Sequence, residues 1–252
     1  MYDNINNNKS IIIIGGTKGI GRIISSKFLE NGFKVISGSR KKYNPFNNDN
    51  FYSLKFDVTK SDDYKLFFQN AKKICKNTTT LINNVGISEW RPIEKINKNF
   101  LDKMFLTNVY SSFFGIQYCI KNFKYINSII NISSIAGKRG TSNNSVYCAT
   151  KFALNGITQS LAKEFGKRGI RVNSICPVLI DTPGLRTAMK KRFSPGFNGF
   201  EKFMSTFIKS QAALNTLPTS EDVANMCLFL SSNSSKSITG QNINLDSGVF
   251  PQ

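Results

Sequence analysis

The chain has 252 residues, 34 Lys and Arg against 15 Asp and Glu, a formal net charge of +19, and no histidine. With 40% apolar and 12% aromatic residues it can bury a core and is not a disordered chain; without histidine it builds neither a Ser-His-Asp triad nor a His-containing zinc site, and we expect no metal. Its longest strongly apolar run, residues 11–14, is far shorter than the ~20 residues of a membrane span, no export signal is expected at its polar start, and its five scattered cysteines read as free thiols in the cytoplasm.

Residues 1–8 are polar and read as a flexible tail. Residues 9–14 are β-branched and apolar and stop at Gly15-Gly16, which predicts a short buried strand. From Gly19 to Glu30, Ile20, Ile23, Ile24, Phe28 and Leu29 recur at helical spacing, and Asn31-Gly32 ends the helix. Strands are expected over 33–38 and 51–56, and a helix over 61–75 with Asp62 and Asp63 in its first turn. A fourth strand over 79–83 precedes one long helix over 99–122 and a fifth strand over 125–132. A second long helix spans 145–165, and a sixth strand 170–176. After a broken segment, Ser220 is the expected N-cap of a helix over 220–230, and 241–245 is the last strand. Strands alternating with helices predict an α/β fold over residues 9–252: one doubly wound Rossmann-type domain, its mainly parallel sheet of about seven strands covered on both faces.

The first strand runs into Gly15-Gly16-Thr17-Lys18-Gly19-Ile20-Gly21, and a helix starts at once. Glycines there let the backbone turn tightly and approach a pyrophosphate, which the free N–H groups and positive dipole of the helix start then hold. The spacing G-x-x-x-G-x-G is neither G-x-G-x-x-G nor a Walker A loop. The second strand ends Ser37-Gly38-Ser39-Arg40-Lys41-Lys42, with no acid to take a ribose 2′-hydroxyl. Arg40, together with Lys18, suits the extra 2′-phosphate of NADP(H), because a guanidinium fork pairs with phosphate oxygens; NAD(H) remains the alternative.

Further along come Asp57-Val58, then Asn83-Asn84-Val85-Gly86, Ile130-Asn131-Ile132-Ser133-Ser134 and Tyr147-Cys148-Ala149-Thr150-Lys151. In this order along an α/β pattern, they make the chain resemble the short-chain dehydrogenase/reductase family from about residue 9 to 250. Four positions depart from the family pattern: Ile14 for Thr, Val85 for Ala, Val178 for Gly after Pro177, and Ser247 for Gly between Asp246 and Gly248. The resemblance implies that Asn108, Ser134, Tyr147 and Lys151 form the catalytic set. It implies a dinucleotide held by Gly15, Thr17, Lys18, Gly19, Ile20, Gly21, Ser39, Arg40, Asp57, Val58, Asn84, Val85, Gly86, Tyr147, Lys151, Pro177, Ile180 and Thr182, with Thr182 and the Ile180 backbone at the nicotinamide carboxamide.

Tyr147 and Lys151 lie four residues apart and share a helix face. A phenol titrates near ~10, and a neighbouring ammonium is expected to lower that value toward neutral pH. By the resemblance, Tyr147 donates a proton to a carbonyl oxygen, Ser134 hydrogen-bonds that oxygen, and Ser133 is structural. Lys151 holds the nicotinamide ribose, and Asn108 holds a water that links Lys151 to solvent.

Residues 185–217 are expected to form a mobile substrate lid. Within it Arg186, Lys190, Lys191, Arg192, Lys202 and Lys209 face only Glu201, and Phe193, Phe197, Phe200, Phe203 and Phe207 are interleaved. Two readings stand: attraction of an anionic small molecule such as a sugar derivative, or a solvated amphipathic lid in a chain whose Lys-, Asn- and Ile-rich composition follows codon bias. The leading function is an NADP(H)-dependent oxidoreductase. The alternatives are a 3-oxoacyl-carrier-protein reductase and, in another class, a non-catalytic dinucleotide-binding sensor or scaffold. No nucleic acid or membrane partner is expected. Apolar outer positions such as Phe113, Phe114 and Tyr118 on the long helices, with the resemblance, imply a homotetramer or a dimer.

Overall fold

The computed structural model describes residues 9–251, so the expected tail over residues 1–8 lies outside the described residues. Seven strands form the sheet: β1 (Ser10–Ile14), β2 (Lys34–Ser39), β3 (Phe51–Lys55), β4 (Thr78–Asn83), β5 (Ser128–Ile132), β6 (Arg171–Pro177) and β7 (Asn242–Leu245). They lie in the order β3-β2-β1-β4-β5-β6-β7, every neighbouring pair parallel. The described residues also form eight α-helices: α1 (Gly19–Glu30), α2 (Ser61–Ile74), α3 (Lys98–Phe105), α4 (Ser111–Asn122), α5 (Ser145–Phe165), α6 (Pro183–Met189), α7 (Phe200–Gln211) and α8 (Ser220–Ser231).

The isoleucine run of β1 explains the centre of this arrangement. Successive strand residues point to opposite faces, so a strand covered on both sides is apolar throughout. Ile12 and Ile14 join Leu81 and Ile129 under α2, α4 and α5, while Ile11 and Ile13 join Ile82 and Ile130 under α1 and α8. All four β1 isoleucines are at most 1% exposed, each side chain contributing roughly 1.5–3 kcal/mol of transfer free energy. The strand order reverses between β1 and β4, and ligands of such sheets bind beyond the carboxyl ends of the strands at that point.

Most other ends fall within one residue of expectation, and three features differ by more than that or in kind. β5 begins at Ser128 rather than 125, because Asn127 is engaged by the backbones of Thr79 and Arg171 at 3.0 Å each as the chain enters the sheet. The cap of α8 is Thr219, not Ser220: Thr219 Oγ1 accepts from the Asp222 amide at 3.2 Å, and Asp222 Oδ2 accepts from the Thr219 amide at 2.7 Å. The long helix over 99–122 is two α-helices joined by a π turn, Leu106–Tyr110. In that turn the side chain of Asn108 is drawn off to another loop, and Ser111 Oγ donates to the Thr107 carbonyl at 2.5 Å.

Candidate active site

β4 and β5 end side by side, with Asn83 opposite Asn131. Asn83 Nδ2 donates to Asn131 Oδ1 at 2.8 Å, and Asn131 Nδ2 donates to Thr158 Oγ1 on α5 at 2.9 Å. This buried amide ladder fixes α5 against the strand ends. Tyr147, Thr150 and Lys151 sit on the first two turns of α5. Lys151 is 4% exposed and its Nζ donates to the Ile132 carbonyl at 2.9 Å. Ser134 follows β5, accepts from the Ala136 amide at 3.1 Å, and lies close enough to Tyr147 to favour its ionised form. Ser133 is buried and turned toward the Lys151 carbonyl at 3.5 Å.

Asn108 approaches from the π turn. Its Oδ1 accepts from the Ile87 amide at 2.8 Å, and its Nδ2 donates to the Ile87 carbonyl at 2.9 Å and to Thr150 Oγ1 at 3.1 Å. Thr150 Oγ1 in turn donates to the Tyr147 carbonyl at 2.7 Å. The Asn108 side chain is therefore a bracket between the loop after β4 and α5. A Cβ at Gly86 would lie 3.6 Å from both Asn108 Oδ1 and Lys151 Nζ, which brings Gly86, Asn108 and Lys151 to one point. Sequence reasoning missed Ile87 and Thr150; Thr150 lies inside the Y-x-x-x-K segment, but nothing local marks its partner 42 residues away.

The charges behave differently from expectation. Burial pushes the Tyr147 phenol up to about 12, against the opposing pull of the neighbouring Ser134 side chain. Burial also pushes Lys151 down to about 8. The expected lowering of Tyr147 by Lys151 is absent, because Nζ is turned to the Ile132 carbonyl and lies 5.7 Å from the ring centroid. Desolvation, which disfavours both charged forms, wins here.

The glycine loop forms a cradle a dinucleotide fits. Gly15 has φ +91° and a Cβ there would come within 2.8 Å of Val85 Cγ2; a Cβ on Gly21 would meet the Gly15 carbonyl at 2.0 Å. Gly19 has φ +52° and open space around it. Lys18 and Gly19 are exposed at the start of α1, Ile20 is half-buried, and no side chain caps that helix end. Thr17 is buried beside them. Asn84 Nδ2 ties β4 to the loop by donating to the Gly15 carbonyl at 3.0 Å. Ser39 Oγ donates to the Lys41 carbonyl at 2.7 Å, and Arg40 beside it is exposed. Burial raises the Asp57 carboxyl, but hydrogen bonds from Thr59 and the charges of Lys60 and Arg40 outweigh it and hold Asp57 below its ordinary value. Val58 is buried, its carbonyl accepting from Tyr64 at 2.9 Å. On the far side, Pro177 ends β6, Ile180 is buried, and Thr182 Oγ1 caps α6 by accepting from the Leu185 amide at 3.1 Å.

The family model described as Enoyl-(Acyl carrier protein) reductase matches residues 15–250. The (S)-acetoin-forming diacetyl reductase of Staphylococcus aureus is 32% identical, over 96% of this chain and 98% of that protein. The chain belongs to the short-chain dehydrogenase/reductase family. Three solved structures share the fold of this dehydrogenase. Thermoplasma acidophilum aldohexose dehydrogenase has a TM-score of 0.86 at 27% identity, covering 98% of both chains. ElxO with NADP bound has 0.86 at 28%, covering 97% of this chain and 100% of that one. The 3-ketoacyl-(acyl-carrier-protein) reductase of Brucella melitensis complexed with NADH has 0.84 at 26%, covering 96% and 98%.

Departures of this dehydrogenase from the family pattern have visible consequences. Where Ile14 replaces Thr, Asn83 Oδ1 is buried without a hydrogen-bond partner. A Cβ at Gly115 would lie 2.8 Å from Ile14 Cδ1 and 3.0 Å from that Oδ1, so the isoleucine methyl and the orphaned oxygen share one gap. Val178 is buried with Ile135, Ala212 and Val249, turned into a core cluster. Ser247 adopts φ +55°, in the left-handed region.

In the 185–217 segment, expected to be a lid, two cations are paired and most of the rings are packed. Arg186 holds Asp181 through two bonds of 2.7 Å and Glu201 through one of 2.8 Å. Lys191 is paired with Glu89 on the loop after β4. Phe193, Phe200 and Phe203 pack with Ala188 and Met189 against Trp90, and Phe207 against Val178 and Ala212; Phe197 is exposed. Most of the interleaved rings are therefore lid core. Glu89 and Trp90 were missed in the sequence, where only the chain's single tryptophan between two charged residues could have marked the place.

Proposed function

We propose that the protein is an NADP(H)-dependent oxidoreductase that interconverts a carbonyl and a hydroxyl on a small polar molecule. The observation that carries this reading is the placing of Ser134 beside Tyr147, with Lys151 buried and its Nζ donating to the Ile132 carbonyl at 2.9 Å, at the carboxyl ends of the strands. The nicotinamide, when bound, supplies or accepts the hydride. Ser134 orients the substrate oxygen and stabilises charge on it. Tyr147 donates the proton in reduction and takes it back in oxidation. Its high value, about 12, keeps it protonated and suited to the donor role. Lys151 holds the ribose hydroxyls. The Asn108 side chain is committed to Ile87 and Thr150, so its part is to hold the π turn that lines the proton route from Lys151 to water.

Arg40 and Lys18, both exposed at the adenosine side of the cradle, support the 2′-phosphate and hence NADP(H). For the substrate, resemblance to the diacetyl reductase over nearly the whole chain favours a vicinal dicarbonyl or hydroxyketone. Two of the six lid cations, Arg186 and Lys191, are paired with carboxylates, which weakens the case for an anionic substrate. We also propose a homotetramer, or failing that a dimer, through the exposed rings of Tyr110, Phe113, Phe114 and Phe152. No helix among the described residues is long and apolar enough to cross a membrane, and five buried cysteines suit a reducing compartment.

The test has two parts. NADPH and NADH are titrated by nicotinamide fluorescence into wild type and Arg40→Ala; tighter NADPH binding that collapses in the variant supports the cofactor reading, and equal binding overturns it. Reduction of diacetyl is then followed in wild type and Tyr147→Phe. The variant is expected to lose on the order of 10²–10⁴ in kcat while still binding NADPH; retained turnover removes Tyr147 from the mechanism.

A further inference from the structure

The loop after β4 is fastened to the body of the molecule at two points. Asn108 holds the Ile87 amide and carbonyl. Four residues on, the Arg91 amide donates to the Asn143 carbonyl at 2.5 Å, and the Arg91 guanidinium lies 3.9 Å from the Phe100 ring centroid. Between these fasteners, Glu89 and Trp90 meet the lid. Trp90 is 8% exposed beneath Ala188 and Met189, with Leu185, Phe193 and Phe203 around it. Glu89 takes Arg91 on one carboxylate oxygen at 2.5 Å and Lys191 on the other.

The lid side of this contact is a preformed unit. Lys191 lies two residues beyond α6, in a turn closed by Ser194 Oγ donating to the Met189 carbonyl at 2.5 Å. Gly196 passes so close to Met189 that a Cβ there would come within 3.1 Å of it. Arg186 joins α6 to Glu201 at the start of α7. Such a unit moves as a body about its ends, and an ion pair at its tip sets how far it closes.

We propose that Glu89 is a positioning residue that latches the lid: by bridging Arg91 and Lys191 it fixes the closed position over the substrate site and so governs substrate retention rather than the chemical step. The kinetic part rests on the dehydrogenase reading above; the mechanical part does not. Catalysis enters only through position, because the same short loop carries Ile87, which Asn108 holds, and Glu89, which the lid holds.

Trp90 is the chain's single tryptophan and reports the latch without turnover. Acrylamide quenching of its fluorescence is measured at low salt in wild type, Lys191→Gln, Glu89→Gln, the double variant and Lys191→Arg. Each Gln variant is expected to raise the quenching constant roughly two- to fivefold, the change an ion pair of this exposure supports. The double variant should add nothing further, Lys191→Arg should restore the wild-type value, and rising salt should erase the difference. With diacetyl and NADPH as probes, the KM for diacetyl should rise by a similar factor while kcat changes by less than about twofold. Unchanged quenching in Lys191→Gln, or additive effects in the double variant, overturns the latch. A raised quenching constant in a protein that does not reduce diacetyl keeps the latch and refutes the substrate. Lys191 is exposed, so Lys191→Gln carries the test even where Glu89→Gln fails to fold.

Discussion

The floor of the candidate site and the 185–217 segment proposed as its lid are secured by different forces. Asn108 and Lys151 are 1% and 4% exposed, and both are directed at main-chain groups. The lid cations Arg186 and Lys191 are 47% and 48% exposed and answer to carboxylates. A buried bond to the backbone is costly to break, because it strands a desolvated partner at about 1–3 kcal/mol. An exposed ion pair contributes about 0–1 kcal/mol and yields to salt. The floor is thus held by buried bonds to the main chain, and the 185–217 segment by exposed ion pairs that reform easily.

The sharpest way to break this contrast is Asn108→Ala. It leaves the Ile87 amide and carbonyl and the Thr150 hydroxyl without their partner. A loss of roughly 3 kcal/mol in urea unfolding is expected; a loss as small as that of a surface variant would show that water replaces the bracket and that floor and lid are not distinct.

Lys151 sharpens the same point through pH. Its folded-state value of about 8 lies below the ordinary 10.5, so from pH 8 to 10.5 the unfolded chain binds the extra proton. Stability therefore rises with pH through that window, by roughly 3 kcal/mol, before Tyr147 acts in the opposite sense above pH ~10. Lys151→Met should flatten the rise in denaturation curves taken across the window. The smallest effect is expected at Ser247, whose φ of +55° suits glycine. Ser247→Gly should stabilise by about 1 kcal/mol in thermal unfolding, since serine is strained in the left-handed region; destabilisation would mean that the serine side chain makes a compensating contact.

Much of the fold was legible because its signals are local. The β1 isoleucines, the bounds of α1 and α5, and the glycine loop all appear within a few residues of one another. The candidate site was legible only through ordered motifs, since Asn108, Ser134, Tyr147 and Lys151 come from separate elements. What stayed hidden depends on distance or on competition. The Glu89–Lys191 pair spans 102 residues. The sign of the Tyr147 shift turns on where Lys151 Nζ points, which spacing along a helix does not disclose. Thr219 and Ser220 both suit an N-cap, and only the reciprocal bonds with Asp222 decide between them. The π turn within 99–122 stayed hidden because it goes with Asn108 reaching Ile87, 21 residues back along the chain.

That π turn sets the direction of a side chain. A turn that closes on the fifth residue instead of the fourth holds one residue more than its length requires, as an insertion into a plain helix would leave behind. Deleting one residue from Leu106–Tyr110 would restore a regular helix and swing α3 about 100° around the axis relative to α4. The shortened chain would gain helical regularity and lose the aim of Asn108 at Ile87. The surplus residue is thus what aims Asn108, the side chain that joins the loop after β4 to α5.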